Sequence, residues 1–285
     1  MTRRTGLIGL AGAFLAACTP ARLLDAVVAD DAAATLVKDV SFGDSPRLKL
    51  DVYGPPRGAK GAPVAIFIYG GGWSSGSRRE YQWTGKMLAA QGFVTVVPDY
   101  RLTPEVKFPT FIEDVAQAVR WAVDHAAEHG GDPSRIVLIG HSAGAYNAAM
   151  VALDPRYLKA VGVDRKRIKA FAGLAGPYYF PNLDGPILSR TFGGTDDKIY
   201  QTLDYATAGS PAAFLVAGSA DRTVLPRNTE RLAAALRKEG VEVESKIYAG
   251  LSHADVLLHL SRTFRGRSSV YADMTGFLRK QVGLS

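Results

Sequence analysis

Short, unbroken apolar runs alternate along this chain with segments whose apolar positions recur at helical spacing. "VAIFIY" (64–69), "FVTVVP" (93–98), "RIVLIG" (135–140), "IKAFAGL" (168–174) and "AFLVAG" (213–218) have the length of strands, and they lack the polar alternation of a sheet with one solvated face. Between them, "EYQWTGKMLAAQ" (80–91), residues 142–153 and "NTERLAAALRKEG" (228–240) carry helical periods, the last stopped by Gly240. Phe111, Val115, Val119, Ala122 and Ala126 fall on one face of a further helix. "LKLDVYGP" (48–55) alternates as a half-buried strand does and ends in Pro55-Pro56, and "VEVESKIY" (241–248) reads as a last strand. Strands and helices in this order predict an α/β fold: a mostly parallel sheet with helices on both faces, joined by right-handed crossovers.

One segment breaks the alternation. Residues 176–211 mix Gly, Pro and aromatics without a sustained period, which predicts a small cap-like insert. At the other end, "MTRRTGLIGLAGAFLAAC" pairs two arginines with an apolar stretch too short to span a bilayer, the pattern of an export signal. Its exit, Leu15-Ala16-Ala17-Cys18, resembles the lipobox of bacterial lipoproteins. That resemblance implies a signal peptide over 1–17, a lipid on Cys18, a tether over 18–34 and an exported, membrane-anchored protein on the periplasmic or cell-surface side. The folded domain is then expected over 35–285. With 285 residues, 47% of them hydrophobic, one domain suffices to bury the core.

The formal charge of +7 suggests a nucleic-acid partner only if Lys and Arg cluster. They are scattered instead, and no nucleic-acid partner is expected. Cys18 is the only cysteine, so an intramolecular disulfide is excluded.

Gly140-His141-Ser142-Ala143-Gly144 fits G-x-S-x-G, with a strand before it and a helix-forming run after it. In that context the small residues permit a sharp turn that projects the Ser142 hydroxyl above the sheet edge. A hydroxyl becomes a useful nucleophile only when an imidazole accepts its proton and a carboxylate orients the imidazole. Of the five histidines, His125 and His129 end a polar helical face, His141 shapes the turn, and His259 sits inside "DVLLHL" as a packed helix residue. His253, in the loop "AGLSHAD" after a strand, is the expected base. Asp221, in the turn that follows "AFLVAG", is the expected carboxylate. Asp196, Asp197, Asp204 and Asp255 read as surface or capping acids.

"YGGGW" (69–73) supplies what such a serine needs next. Attack on a carbonyl creates an oxyanion, and residues without a Cβ let backbone N–H groups approach it. Gly71 and Gly72, with Ala143 after the nucleophile, are the expected donors. Trp73, Tyr146 and Tyr178 are expected to line a pocket for an apolar or aromatic group, or else to pack as core. Asp99, Arg101 and Asp114 are expected to form an ion-pair network beneath the site.

Taken together, "YGGGW", "DYRLTPEVKFP" (99–109), "GHSAG", "GSADRTV" (218–224) and "GLSHAD" resemble the esterase and lipase branch of the α/β hydrolases that carries an H-G-G-G-type oxyanion loop. That branch includes hormone-sensitive-lipase-like esterases and the kynurenine formamidase group, and the resemblance spans about residues 48–260. The order Ser142, Asp221, His253 is the order this topology requires. Two positions depart from it: Tyr69 stands where the family usually has His, and His141 where hormone-sensitive-lipase-like enzymes commonly have Asp. The resemblance implies hydrolysis of a small-molecule carboxylic ester, or of an aryl formamide, without metal or organic cofactor. Outside enzymes, the remaining reading is a lipid-anchored binding module on an inactive hydrolase scaffold.

Overall fold

The structure, a computed structural model, describes residues 28–183, 185–193 and 199–284. The expected signal peptide, Cys18 and the first part of the tether lie outside the described residues.

Eight strands form one sheet: β1 (Ala34–Ser41), β2 (Lys49–Gly54), β3 (Ala62–Ile68), β4 (Val94–Pro98), β5 (Gly131–His141), β6 (Ile168–Leu174), β7 (Ala212–Gly218) and β8 (Val243–Tyr248). Their order is β1-β2-β4-β3-β5-β6-β7-β8. From β4 to β8 every neighbouring pair is parallel. β1 and β2 close the other edge antiparallel. Burial explains why the central strands read as continuous apolar runs: β3 is buried from Pro63 onward and β4 throughout. Successive side chains point to opposite faces, so both faces of these strands are covered. β8 alternates exposed and half-buried positions, as an edge strand does.

The helices are α1 (Gln82–Ala90), α2 (Thr110–His125), α3 (Ala143–Leu153), α4 (Pro155–Ala160), α5 (Pro186–Phe192), α6 (Arg227–Lys238), α7 (His253–Leu258) and α8 (Val270–Gln281). α2 buries the expected Phe111, Val115, Val119 and Ala122. It packs on α3, which in turn lies on β5 and β6. α8, which the strand–helix alternation does not predict, buries Val270, Met274, Phe277 and Leu278 at helical spacing and covers β6 and β7. α4 was hidden by Pro155, which sits in its first turn, where a missing N–H costs nothing; the Asp154 side chain caps it.

Strand order reverses around β3, which has β4 on one side and β5 on the other although it precedes both. In open α/β sheets the crevice outside the carboxyl ends of the strands at such a reversal is where ligands bind. Here those ends lead directly into "YGGGW" and "GHSAG".

Candidate active site

Ser142 lies at the end of β5 with φ 54° and ψ −124°, a left-handed backbone held by its surroundings. Its N–H donates to the Leu174 carbonyl at 2.9 Å, and its own carbonyl opens α3 by accepting from Ala145 and Tyr146. Two glycines make the turn possible. A Cβ on Gly140 would stand 2.2 Å from the Gly144 carbonyl oxygen, and one on Gly144 would stand 2.1 Å from that of Ile68.

The three residues expected to act together are within hydrogen-bond reach. His253 Nδ1 donates to Asp221 Oδ2 at 2.7 Å, and the Ser142 hydroxyl donates to His253 Nε2 at 2.9 Å. Asp221 is 2% exposed, and its second oxygen accepts the N–H groups of Thr223 and Val224 at 2.9 and 2.8 Å. A carboxylate fixed by three donors keeps the imidazole in one orientation and one tautomer. His253 was expected in a loop and instead opens α7, where Ser252 and Asp255 form a reciprocal capping box. The Ser252 hydroxyl bond is the main reason that the Asp255 carboxyl is held below its usual range. Asp255 is thus the capping acid the sequence suggested.

The His141 ring lies against that of His253, with centroids 4.9 Å apart and planes tilted by 45°. Its Nε2 donates to the His253 carbonyl at 3.1 Å. Burial, aided by the neighbouring imidazole, holds the His141 pKa down to about 3. It therefore stays neutral through the working pH range. His259 is 8% exposed and bonds Ser268, as a packed helix residue should.

The glycine loop closes on the serine: a Cβ on Gly70 would stand 3.0 Å from Ser142 Cβ. Gly71 and Gly72 take φ values of 123° and 57°, positions that suit glycine. Among the described residues, no acceptor takes the N–H groups of Gly71, Gly72 or Ala143. Tyr69 anchors the loop from within. It is fully buried, stacked between Tyr81 and Tyr100, and donates its hydroxyl to Asp99 at 2.9 Å.

The ion pairs beneath the site differ from expectation. Arg101 pairs with Asp114, but Asp99 belongs to a separate cluster around Arg78. The buried Arg78 guanidinium reaches Asp39, Asp51 and Asp99, and its backbone N–H also donates to Asp99, at 2.7 Å. Sequence reading missed Arg78, because nothing in "SSGSRREY" distinguishes it from the exposed Arg79 beside it.

Trp73, Tyr146 and Tyr178, expected at the pocket or in the core, lie in the interior at 3%, 0% and 0% exposure. Trp73 and Tyr146 meet edge to face, and Phe180 and Phe192 from residues 176–211 complete their cluster. Tyr178 packs against Gly173 and Gly176, where a Cβ would collide with its ring or hydroxyl. These side chains anchor the insert instead of lining an open pocket. A cavity of about 450 Å³ does open between α2 and α4, with Ile199 at its rim, but no triad or loop residue lines it.

A sheet in this order, with a sharp turn at Ser142 after β5, gives the chain the α/β-hydrolase fold. Comparison with known proteins agrees with that fold. The BD-FAE family model matches residues 50–182, and the prolyl oligopeptidase family model matches residues 189–285. A probable isoprenylcysteine alpha-carbonyl methylesterase of Oryza sativa subsp. japonica is 28% identical over 78% of this chain and 59% of its own length. The carboxylesterase NlhH of Mycobacterium tuberculosis is 35% identical over 54% of this chain and 49% of that protein. Among solved structures, the thermostable carboxylesterase EstE1, from a metagenomic library, superposes with a TM-score of 0.75 at 25% identity, covering 94% of this chain and 96% of that one. The chain spans less than two thirds of the length of the curated relatives it matches.

Proposed function

We propose that the protein hydrolyses carboxylic esters of small molecules through an acyl-enzyme on Ser142. His253 takes the Ser142 proton as Oγ attacks the ester carbonyl, then returns it to the departing alcohol. Water attacks the acyl-enzyme in the second half, with His253 again as base, and the acid leaves with Ser142 restored. Asp221 holds the imidazole tautomer and faces the imidazolium that forms at each step. The N–H groups of Gly71, Gly72 and Ala143 meet the oxyanion; loss of one such donor typically costs on the order of a hundredfold or more in rate.

The observation that carries this reading is the unbroken relay from Asp221 through His253 to Ser142, at 2.7 and 2.9 Å, beside three N–H groups with no acceptor among the described residues. The relatives support the reaction class, and their differing substrates leave the natural ester unassigned. A fluorophosphonate probe tests the nucleophile: wild-type protein should label and Ser142→Ala should not. Labelling that persists in the variant overturns the assignment. Turnover of short p-nitrophenyl esters should far exceed that of N-formylkynurenine, and the reverse preference would make the protein a formamidase. We also propose, from the sequence around Cys18, that a lipid holds the protein at a membrane. The exported protein should then partition into detergent, and partitioning retained by Cys18→Ser would count against it.

A further inference from the structure

We infer that Trp73 and Asn147 form a clasp that sets the oxyanion donors against one another, making both of them positioning residues. The catalytic consequence rests on the hydrolase reading above; the clasp itself rests on geometry.

The donors come from two parts of the chain. Gly71 and Gly72 belong to the loop after β3, and Ala143 is the first residue of α3. Nothing covalent fixes the distance between these parts, yet the rate of a reaction that depends on converging N–H groups falls about a hundredfold for a displacement near 1 Å. Trp73 follows the glycines directly, and its indole Nε1 donates to Asn147 Oδ1, one turn into α3, at 2.9 Å. Both side chains are buried, at 3% and 0% exposure. The bond therefore ties the loop to the helix within two residues of the donors on one side and one turn on the other.

Four further observations favour positioning over simple packing. Trp73 has φ 57°, a backbone conformation a bulky residue keeps only when its surroundings impose it. Its carbonyl is also taken, by the Thr103 N–H at 2.8 Å. The amide nitrogen of Asn147 has no partner among the described residues, so the indole alone fixes which way the Asn147 amide faces. Finally, Phe192 of α5 meets the same indole edge to face at 5.1 Å. The insert is thus seated on the residue that orients the loop.

The test uses Trp73→Phe, Asn147→Leu and the double variant, with the benzothiophene analogue of tryptophan at position 73 as a replacement that removes only the N–H. Each single change should lower kcat roughly tenfold to a hundredfold with KM within about twofold, as expected for a donor displaced but not deleted. Backbone amide exchange at Ser75 and Thr103, whose N–H groups are bonded to the carbonyls of Gly71 and Trp73, should quicken in every variant. The double variant leaves no buried acceptor unpaired, so it should regain melting temperature lost by the single ones and still remain slow. A double variant with wild-type kcat, or unchanged exchange at Ser75 and Thr103 in the benzothiophene protein, overturns the clasp. Amide exchange needs no substrate: a wild-type protein inactive on every ester would sink the hydrolase reading while exchange still decided this one.

Discussion

Tyr69 ends β3's apolar run, and its side chain turns into the interior, away from the glycines it precedes. Its hydroxyl donates to Asp99 and accepts from Arg47, while its carbonyl accepts the Tyr100 hydroxyl at 3.0 Å. Burial pushes the phenol well above its usual pKa, so it remains a neutral donor at any working pH. Tyr69→Phe keeps the stacking and deletes the donor. The variant should lose about 1–3 kcal/mol in urea unfolding, the usual cost of a buried partner left unmatched, and turnover should fall with it because the loop is anchored less firmly. Stability and kcat both equal to wild type would reduce the hydroxyl to a packing atom. The residues proposed to bear the chemistry were legible in the sequence for a physical reason: Ser142, Asp221 and His253 each follow a recognisable strand, and few turns close behind a strand with those residue types. Trp73, Tyr146 and Tyr178 were not resolved that way. An aromatic near a motif can fill a core or line a pocket, and only packing decides: against Phe180 and Phe192 for Trp73 and Tyr146, and against Gly173 and Gly176 for Tyr178.

At the scale of elements, the loop between β3 and α1 is held by two arginines. Arg47 donates to the Tyr69 hydroxyl and the Gly76 carbonyl, and Arg78 closes the loop on Asp51 and Asp99. Removing one partner of a buried ion cluster leaves the others uncompensated, typically at a cost of 3–5 kcal/mol. Arg78→Met should therefore destabilise by about that amount, whereas Arg79→Met, a change at the 73% exposed side chain next to it, should stay within about 0.5 kcal/mol. Equal effects at the two positions, read by denaturant midpoint, would dismiss the cluster as a support for the loop. The buried strands and the amphipathic helix α2 were readable from periodicity alone. β1 was not, because an edge strand with an exposed outer face and irregular pairing to β2 leaves little apolar signal. Nor was the partner choice of Asp99, since ion pairing across 21 residues depends on how the strands are ordered.

For the molecule as a whole, the fold gathers the site from the ends of β3, β5 and β7 and the start of α7, and the same convergence buries a histidine next to the relay. His141 enters the fold neutral, with its pKa lowered from 6.5 to about 3 by burial. A base depressed in this way binds its proton in the unfolded chain before it does so in the native one. Its contribution is complete above about pH 6.5 and is lost progressively as pH falls toward 3. Carboxyls act lower: burial works against Asp132, but bonds from Ser134 and Arg135 prevail and hold it at about 2, so its contribution disappears only below about pH 4. Acid sensitivity between pH 7 and 5 should thus come largely from His141. Between those values one such group accounts for up to about 2 kcal/mol of lost stability. His141→Gln keeps a donor for the His253 carbonyl and has no proton to take up. In urea titrations it should lose less stability between pH 7 and 5 than wild type does, by up to that difference, even if it is the weaker protein at pH 7. Parallel losses in the two proteins would show that the imidazole reaches its proton in the folded state.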